Sequence, residues 1–190
     1  MTTAAIYYHP SAYSIAGDKL MGRNAAGESF LRGFFKHSTT DTFYGQMMDL
    51  SQGQSFGKVA IDHGRNEPVK VFEKTNLLAL TQAETLYYPG PDINEQAWHR
   101  THFGDNGWSI CGITHTTSSA KVMDTITGWL TAPIQPWDAV ICTSTAVKKN
   151  VETLLQAEVD RLQKRLGIQR FVLPQLPVIP LGIHTEDFLF

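Results

Sequence analysis

The chain has 190 residues and a mass of 21.2 kDa, with 42% apolar and 11% aromatic residues, enough to bury a core and too apolar for a disordered segment. Sixteen Lys and Arg against eighteen Asp and Glu give a formal charge of -2, and no basic run could track a phosphate backbone, which excludes nucleic acid as the main partner. Every apolar stretch is broken well short of the ~20 residues that span a bilayer, and residues 1–8 lack the basic start and long apolar run of a signal peptide, so a cytoplasmic protein is expected.

Short β-like runs alternate with longer helical stretches, as in a parallel sheet with helices on its faces. The expected fold is therefore a Rossmann-like three-layer α/β/α sandwich with a mostly parallel sheet. Residues 4–8 read as the first strand, closed by His9-Pro10, because proline lacks a ladder donor and pushes the residue before it towards extended geometry. A long polar loop carrying Gly17, Gly22 and Gly27 follows. The next helix is expected over residues 27–37, with Phe30, Leu31, Phe34 and Phe35 on one face and Glu28 in the first turn, where the dipole favours an anion. Residues 42–47, 69–72, 85–88, 108–114 and 139–143 are strands by their aromatic and β-branched content.

The clearest helix spans Thr145–Leu166, where Val147, Val151, Leu154, Leu155, Val159, Leu162 and Leu166 recur at steps of three and four, a stripe expected to be core throughout. Ser144 is placed to cap it, Asp160 and Lys164 to pair one turn apart, and Gly167 to end it. Cys111 and Cys142 sit within strand runs and are expected as buried free thiols. Beyond, Pro174, Pro177 and Pro180 prohibit a helix and confine any strand to Val178-Ile179.

Residues 22–29 have the glycine and hydroxyl spacing of a phosphate-binding P-loop, but Glu28 stands where a lysine must meet the β- and γ-phosphates. A P-loop ATPase is rejected. A dinucleotide fingerprint is also a poor match, since Gly22 and Gly27 are five apart, although Asp49 falls near where a ribose-binding acid would be. Two readings of the loop stay open: a solvated turn-rich segment, or backbone N–H groups at a helix N-terminus holding a diphosphate with help from Arg23 and Asn24.

His115 ends a strand and precedes Thr116, Thr117, Ser118 and Ser119, which puts it where open parallel sheets collect ligands; the plainer alternative is a histidine that caps a strand by bonding a neighbouring carbonyl. His99 and His102 are three apart, but Glu95 and Asp105 complete a metal set only at loose spacing, so a solvated helical face is preferred. Tyr13, Tyr87 and Tyr88 are read as packing residues before ligand-stacking ones. The chain has no G-x-S-x-G elbow and no Asp-x-Asp pair.

Taken together, several segments resemble the N-terminal domain of retaining glycosyltransferases of family 4, with the GT-B fold. They are residues 22–31, Gly112-Ile113-Thr114-His115, Val140-Ile141-Cys142-Thr143-Ser144, and Val178-Ile179-Pro180-Leu181-Gly182-Ile183-His184-Thr185-Glu186-Asp187-Phe188, which is similar to the V-I-P-x-G-V-D-x-x-x-F segment at the end of that domain. The resemblance implies an acceptor-side domain over residues 1–182 and the start of a hinge over 183–190, leading to a donor-binding domain outside this chain. The family's paired glycines appear as Ala26-Gly27, His184 replaces an aspartate, and no two glutamates here have the Glu-x7-Glu spacing found in the donor domain.

The resemblance also implies transfer of a sugar from a nucleotide diphosphate donor to an acceptor hydroxyl with retained configuration, with His115 beside the donor sugar and Gly22, Arg23, Asn24 and Gly27 near the diphosphate. No cofactor or metal is expected, the acceptor residues are unassigned, a peripheral membrane position is compatible with it, and the fragment alone is expected to be inactive. The competing readings are a stand-alone Rossmann-like module that binds a nucleotide or small molecule without chemistry, and an NAD-dependent oxidoreductase.

Overall fold

The computed structural model describes residues 3–13 and 22–185. It divides the chain into two compact units, one of Met1–Glu84 with Leu181–Phe190 and one of Thr85–Pro180. Both are built of parallel strands with helices packed on them, the Rossmann-like α/β architecture read from the alternating pattern. Each expected strand is found within one residue of its predicted ends.

In the first unit, β1 (Ala4–Tyr7), β2 (Phe43–Met47) and β3 (Val69–Glu73) lie in the order β3-β2-β1, with Tyr7 opposite Gln46 and Met47 opposite Glu73. All five residues of β2 are buried, as expected of a parallel strand flanked on both sides, whereas β3 is largely accessible. Helices α1 (Pro10–Tyr13), α2 (Gly22–His37), α3 (Gly53–Asp62) and α4 (Leu77–Leu80) complete the unit. Leu31 and Phe35 bring the apolar stripe of α2 into the core. The Phe35 ring meets Phe43 at 5.0 Å and Phe56 at 5.5 Å, contacts worth about 0.5–1.5 kcal/mol each beyond the area they bury.

Helix α2 corrects the predicted boundary. It is already helical at Gly22, so Gly27 and Glu28 lie inside it and not in its first turn. The physical reason is packing: a Cβ on Gly27 would stand 2.0 Å from the Ala12 carbonyl oxygen, so the glycine admits the backbone of α1 against the helix instead of breaking it. The segment after His9-Pro10 likewise begins with the one-turn helix α1.

In the second unit, β4 (Thr85–Tyr87), β5 (Ser109–Thr114) and β6 (Ala139–Cys142) lie in the order β4-β5-β6, with α5 (Ile93–Arg100), α6 (Ala120–Thr127) and α7 (Thr145–Leu166). Helix α7 begins as expected, with Ser144 Oγ accepting from the Val147 amide at 3.1 Å, and ends at Gly167 with φ 71°. Val151, Leu155 and Leu162 are buried, but Leu166 is 62% exposed. At 1.5 Å per residue the helix is about 33 Å long against about 13 Å for β6, so its last turn outruns the strand beneath it. Asp160 accepts from Gln156 Nε2 at 2.7 Å, one turn back, in place of the expected pair with Lys164.

The proline-rich segment pairs along β6 as an interrupted parallel edge. Gln175 donates its amide to Asp138 O and accepts from Val140, Pro177 O accepts from Cys142, and Ile179 donates to Cys142 O. The alternate residues Pro174 and Pro180 point their missing donors away from β6, which leaves less of an edge for another chain to pair with. Pairing begins earlier than the Val178-Ile179 centre expected from the sequence. Cys111 and Cys142 are free thiols, Cys142 buried and Cys111 half-buried. Among the described residues no helix is long and apolar enough to cross a membrane.

Candidate functional site

In the first unit the carboxyl end of β1 runs into His9, Pro10 and α1, and α1 is fastened to its surroundings at several points. The Tyr13 hydroxyl donates to Tyr7 O at 2.9 Å, and its ring stacks on Tyr8 at 5.5 Å, so Tyr13 is a packing residue as read from the sequence. Asn24, only 8% exposed, donates from Nδ2 to Ser11 O. Of the predicted diphosphate residues, Gly22 is exposed where the description of α2 begins, and Arg23 lies in the same turn. Asn24 is turned towards α1, and the Gly27 N–H lies within the helical ladder, which leaves neither in an open glycine loop. Gly17 lies outside the described residues.

His184, read without a role, meets Ser29 on α2, its Nε2 2.9 Å from Ser29 Oγ. Asp49 follows β2 as predicted, but its carboxylate accepts the Ser51 amide at 2.8 Å and caps the turn Leu50–Gln52. That amide holds its pKa below the usual carboxylate value.

In the second unit β5 is the middle strand, and His115 follows directly on it, half-buried. Position 112 is restricted to glycine by space, because a Cβ there would come within 2.7 Å of both Gly90 O and Ile93 Cγ2. Beyond His115 the loop is held by its own hydroxyls: Thr116 Oγ1 lies 2.8 Å from Ser118 Oγ and accepts the Ser118 amide, and Ser119 Oγ caps α6 through the Val122 amide. Asn150 of α7 donates to Thr117 Oγ1, and Thr143 donates to the Thr114 carbonyl at 3.3 Å. The loop after β5 is thereby tied to the loop after β6 and to α7. The structure thus gathers His115, the hydroxyl loop and the Ser144 cap at one end of this unit's strands, where ligands bind in open α/β sheets.

No protein-family model, curated protein or solved structure matches the chain.

The remaining candidates stay apart from that cluster. His99 Nε2 pairs with Glu95 at 3.8 Å on α5, while His102 lies in the following turn Thr101–Phe103; among the described residues no group of His, Cys, Asp and Glu could hold a metal. Sequence reasoning missed Ser11 and Asn150, whose placement depends on contacts far along the chain that no spacing rule encodes. It also treated His9 only as part of a strand terminator.

Proposed function

We propose that the chain is the acceptor-side domain of a retaining glycosyltransferase that moves a sugar from a nucleotide diphosphate donor to an acceptor hydroxyl. The observation that carries the reading is His115 at the carboxyl end of the middle strand β5, three residues after a glycine that the Gly90 carbonyl makes obligatory, within a loop fixed by side-chain hydroxyls. That is the local setting of the segment resembling the family's active-site strand. Supporting it, the Val178–Gly182 stretch leaves its pairing with Cys142 and enters the segment whose His184 meets Ser29.

In this mechanism the departing phosphate oxygen takes the acceptor proton, and the protein contributes placement and charge stabilisation. His115 holds the donor sugar and stabilises positive charge developing at the anomeric carbon, so it needs no titration to act. The resemblance puts Gly22 and Arg23 near the diphosphate. The site of action is cytoplasmic.

The deciding experiment expresses the complete reading frame and offers it uridine-, guanosine- and adenosine-diphosphate sugars with a panel of polyol and glycoside acceptors. Nucleoside diphosphate release coupled to a product with retained anomeric configuration supports the reading. Absence of transfer from every donor, with the protein folded, overturns it.

A further inference from the structure

We infer that the amino end of the second unit's strands is a docking surface for an anionic membrane leaflet, a property that does not depend on the transferase reading. The charge is concentrated in one stretch. From Arg161 to Pro180 there are four basic residues and no Asp or Glu, in a chain whose formal charge is -2. Arg161 is taken up by Glu158 at 2.5 Å. Lys164, Arg165 and Arg170 are exposed and have no ion pair among the described residues.

Folding brings large apolar side chains to the same place. Helix α7 starts beyond the carboxyl end of β6 and outruns the strand on its way back, so its last turn, with Leu166 62% exposed, lies at the amino end. Gln175 donates its Nε2 to Pro136 O at 3.1 Å and its amide to Asp138 O at 2.8 Å, which brings the segment carrying Val172 and Leu173 beside Trp137. Trp137, Val172 and Leu173 are all exposed, at 43%, 42% and 41%. The three cations and three of the four apolar residues thus fall within ten consecutive positions, 164–173.

The helix dipole accounts for Lys164 and Arg165 in the last turn of α7, but neither for Arg170 nor for the exposed apolar residues around it. Apolar side chains and an indole bordered by long cationic ones match a lipid interface: Leu and Val enter the acyl boundary, the indole sits at headgroup level, and the cations reach lipid phosphates and carboxylates. A polynucleotide would meet the cations and offer Leu166, Val172 and Leu173 nothing to enter. The surface lies at the opposite end of the strands from His115, so a chain docked through it keeps the hydroxyl loop after β5 open.

The test is co-sedimentation of the whole chain with phosphatidylcholine vesicles, pure or containing about 30% phosphatidylserine, in about 0.1 M and about 0.5 M salt. The expected result is binding to the anionic vesicles at least tenfold tighter than to the pure ones, with release at high salt. Substituting Lys164→Gln, Arg165→Gln and Arg170→Gln together should weaken binding by about a hundredfold, at roughly fivefold per cation near the surface. Leu166→Ser should weaken it with every charge in place, whereas Lys148→Gln with Lys149→Gln, at the other end of α7, should leave it unchanged. Circular dichroism melts confirm that each variant is folded, and the lipid and salt comparisons need no variant. Absence of binding, equal binding to both vesicles, equal losses in the two sets of charge variants, or an unaffected Leu166→Ser overturns the inference. So does binding to poly-L-glutamate with none to vesicles, which would assign the surface to an acidic protein segment.

Discussion

Asp138 grips Arg100 with both carboxylate oxygens, at 2.6 and 2.7 Å, and each oxygen also accepts a backbone amide, Ile110 on one side and Gln135 on the other. Both side chains are wholly buried. Arg100 also donates to the carbonyls of Trp108 and Pro133, so the pair joins the end of α5 to the amino ends of β5 and β6. Such a pair is weak evidence of net stability, but removing one partner leaves a buried charge unpaired, which costs about 3–5 kcal/mol. Asp138→Ala should therefore lower the melting temperature by about 10 °C, at roughly 2–4 °C per kcal/mol for a chain of this size. A circular-dichroism melt within 2 °C of the parent would show that Arg100 finds other partners.

Two glycines of α2 should respond to alanine in opposite directions. Helix propensity alone favours alanine at either position by about 1 kcal/mol. Gly33 has nothing within 4 Å of an added Cβ, so Gly33→Ala should be stabilising by up to that amount. At Gly27 the added Cβ meets the Ala12 carbonyl at 2.0 Å, a backbone atom that cannot rotate away. Overpacking of about 1–3 kcal/mol exceeds the propensity gain, and Gly27→Ala should be destabilising. Urea midpoints of the two variants measure the contrast; a more stable Gly27→Ala would show that α1 lifts off α2 at little cost.

The strands and α7 were legible because their signals are local: β-branched and aromatic runs, a three-and-four stripe, Ser144 before it and Gly167 after it. The start of α2 was not. Gly22-Arg23-Asn24-Ala25-Ala26-Gly27 carries two glycines that read as a loop, and only the Ala12 backbone lying against position 27 explains why a helix passes through them. His115 was placed at its strand end by sequence alone, whereas the tie from Asn150 to Thr117 spans 33 residues and had no local trace. The exposed Leu166 was misread because periodicity reports a helix face but not the length of the strand it covers.

Cys111 and Tyr87, register partners across β4 and β5, should make the fold sensitive to alkali. Burial pushes the Cys111 thiol up to about 11, and burial first, then the neighbouring thiol's charge, pushes the Tyr87 phenol upward. An unfolded cysteine loses its proton near pH ~8.5. Between these values the folded chain binds more protons, so the stability from Cys111 is complete below pH ~8.5 and falls as pH rises towards about 11. Native chain at pH 8 should react with a disulfide reagent about a hundredfold more slowly than the unfolded chain, because so little thiolate is present. Cys111→Ala should lose less stability than the parent between pH 8 and 10.5. Equal losses would assign the alkaline sensitivity elsewhere.

His115 gives the sharpest test of the proposed chemistry, because it follows β5 directly in a loop held by its own hydroxyls and by Asn150. If the proposed transfer holds, His115→Ala in the complete protein should lower turnover by about a hundredfold or more, the scale of losing one group that stabilises developing charge. Its melting temperature should stay within a few degrees, since the half-buried ring is not part of the apolar core. His115→Asn should recover part of the loss if the ring acts by hydrogen bonding to the sugar, and no part if it acts by proton transfer. The chain as it stands has no Glu-x7-Glu pair and is expected to transfer no sugar by itself. Steady-state rates for the three proteins, with product configuration read by proton NMR, decide the matter: undiminished turnover in His115→Ala removes this residue from the mechanism, and transfer by the chain alone removes the need for a second domain.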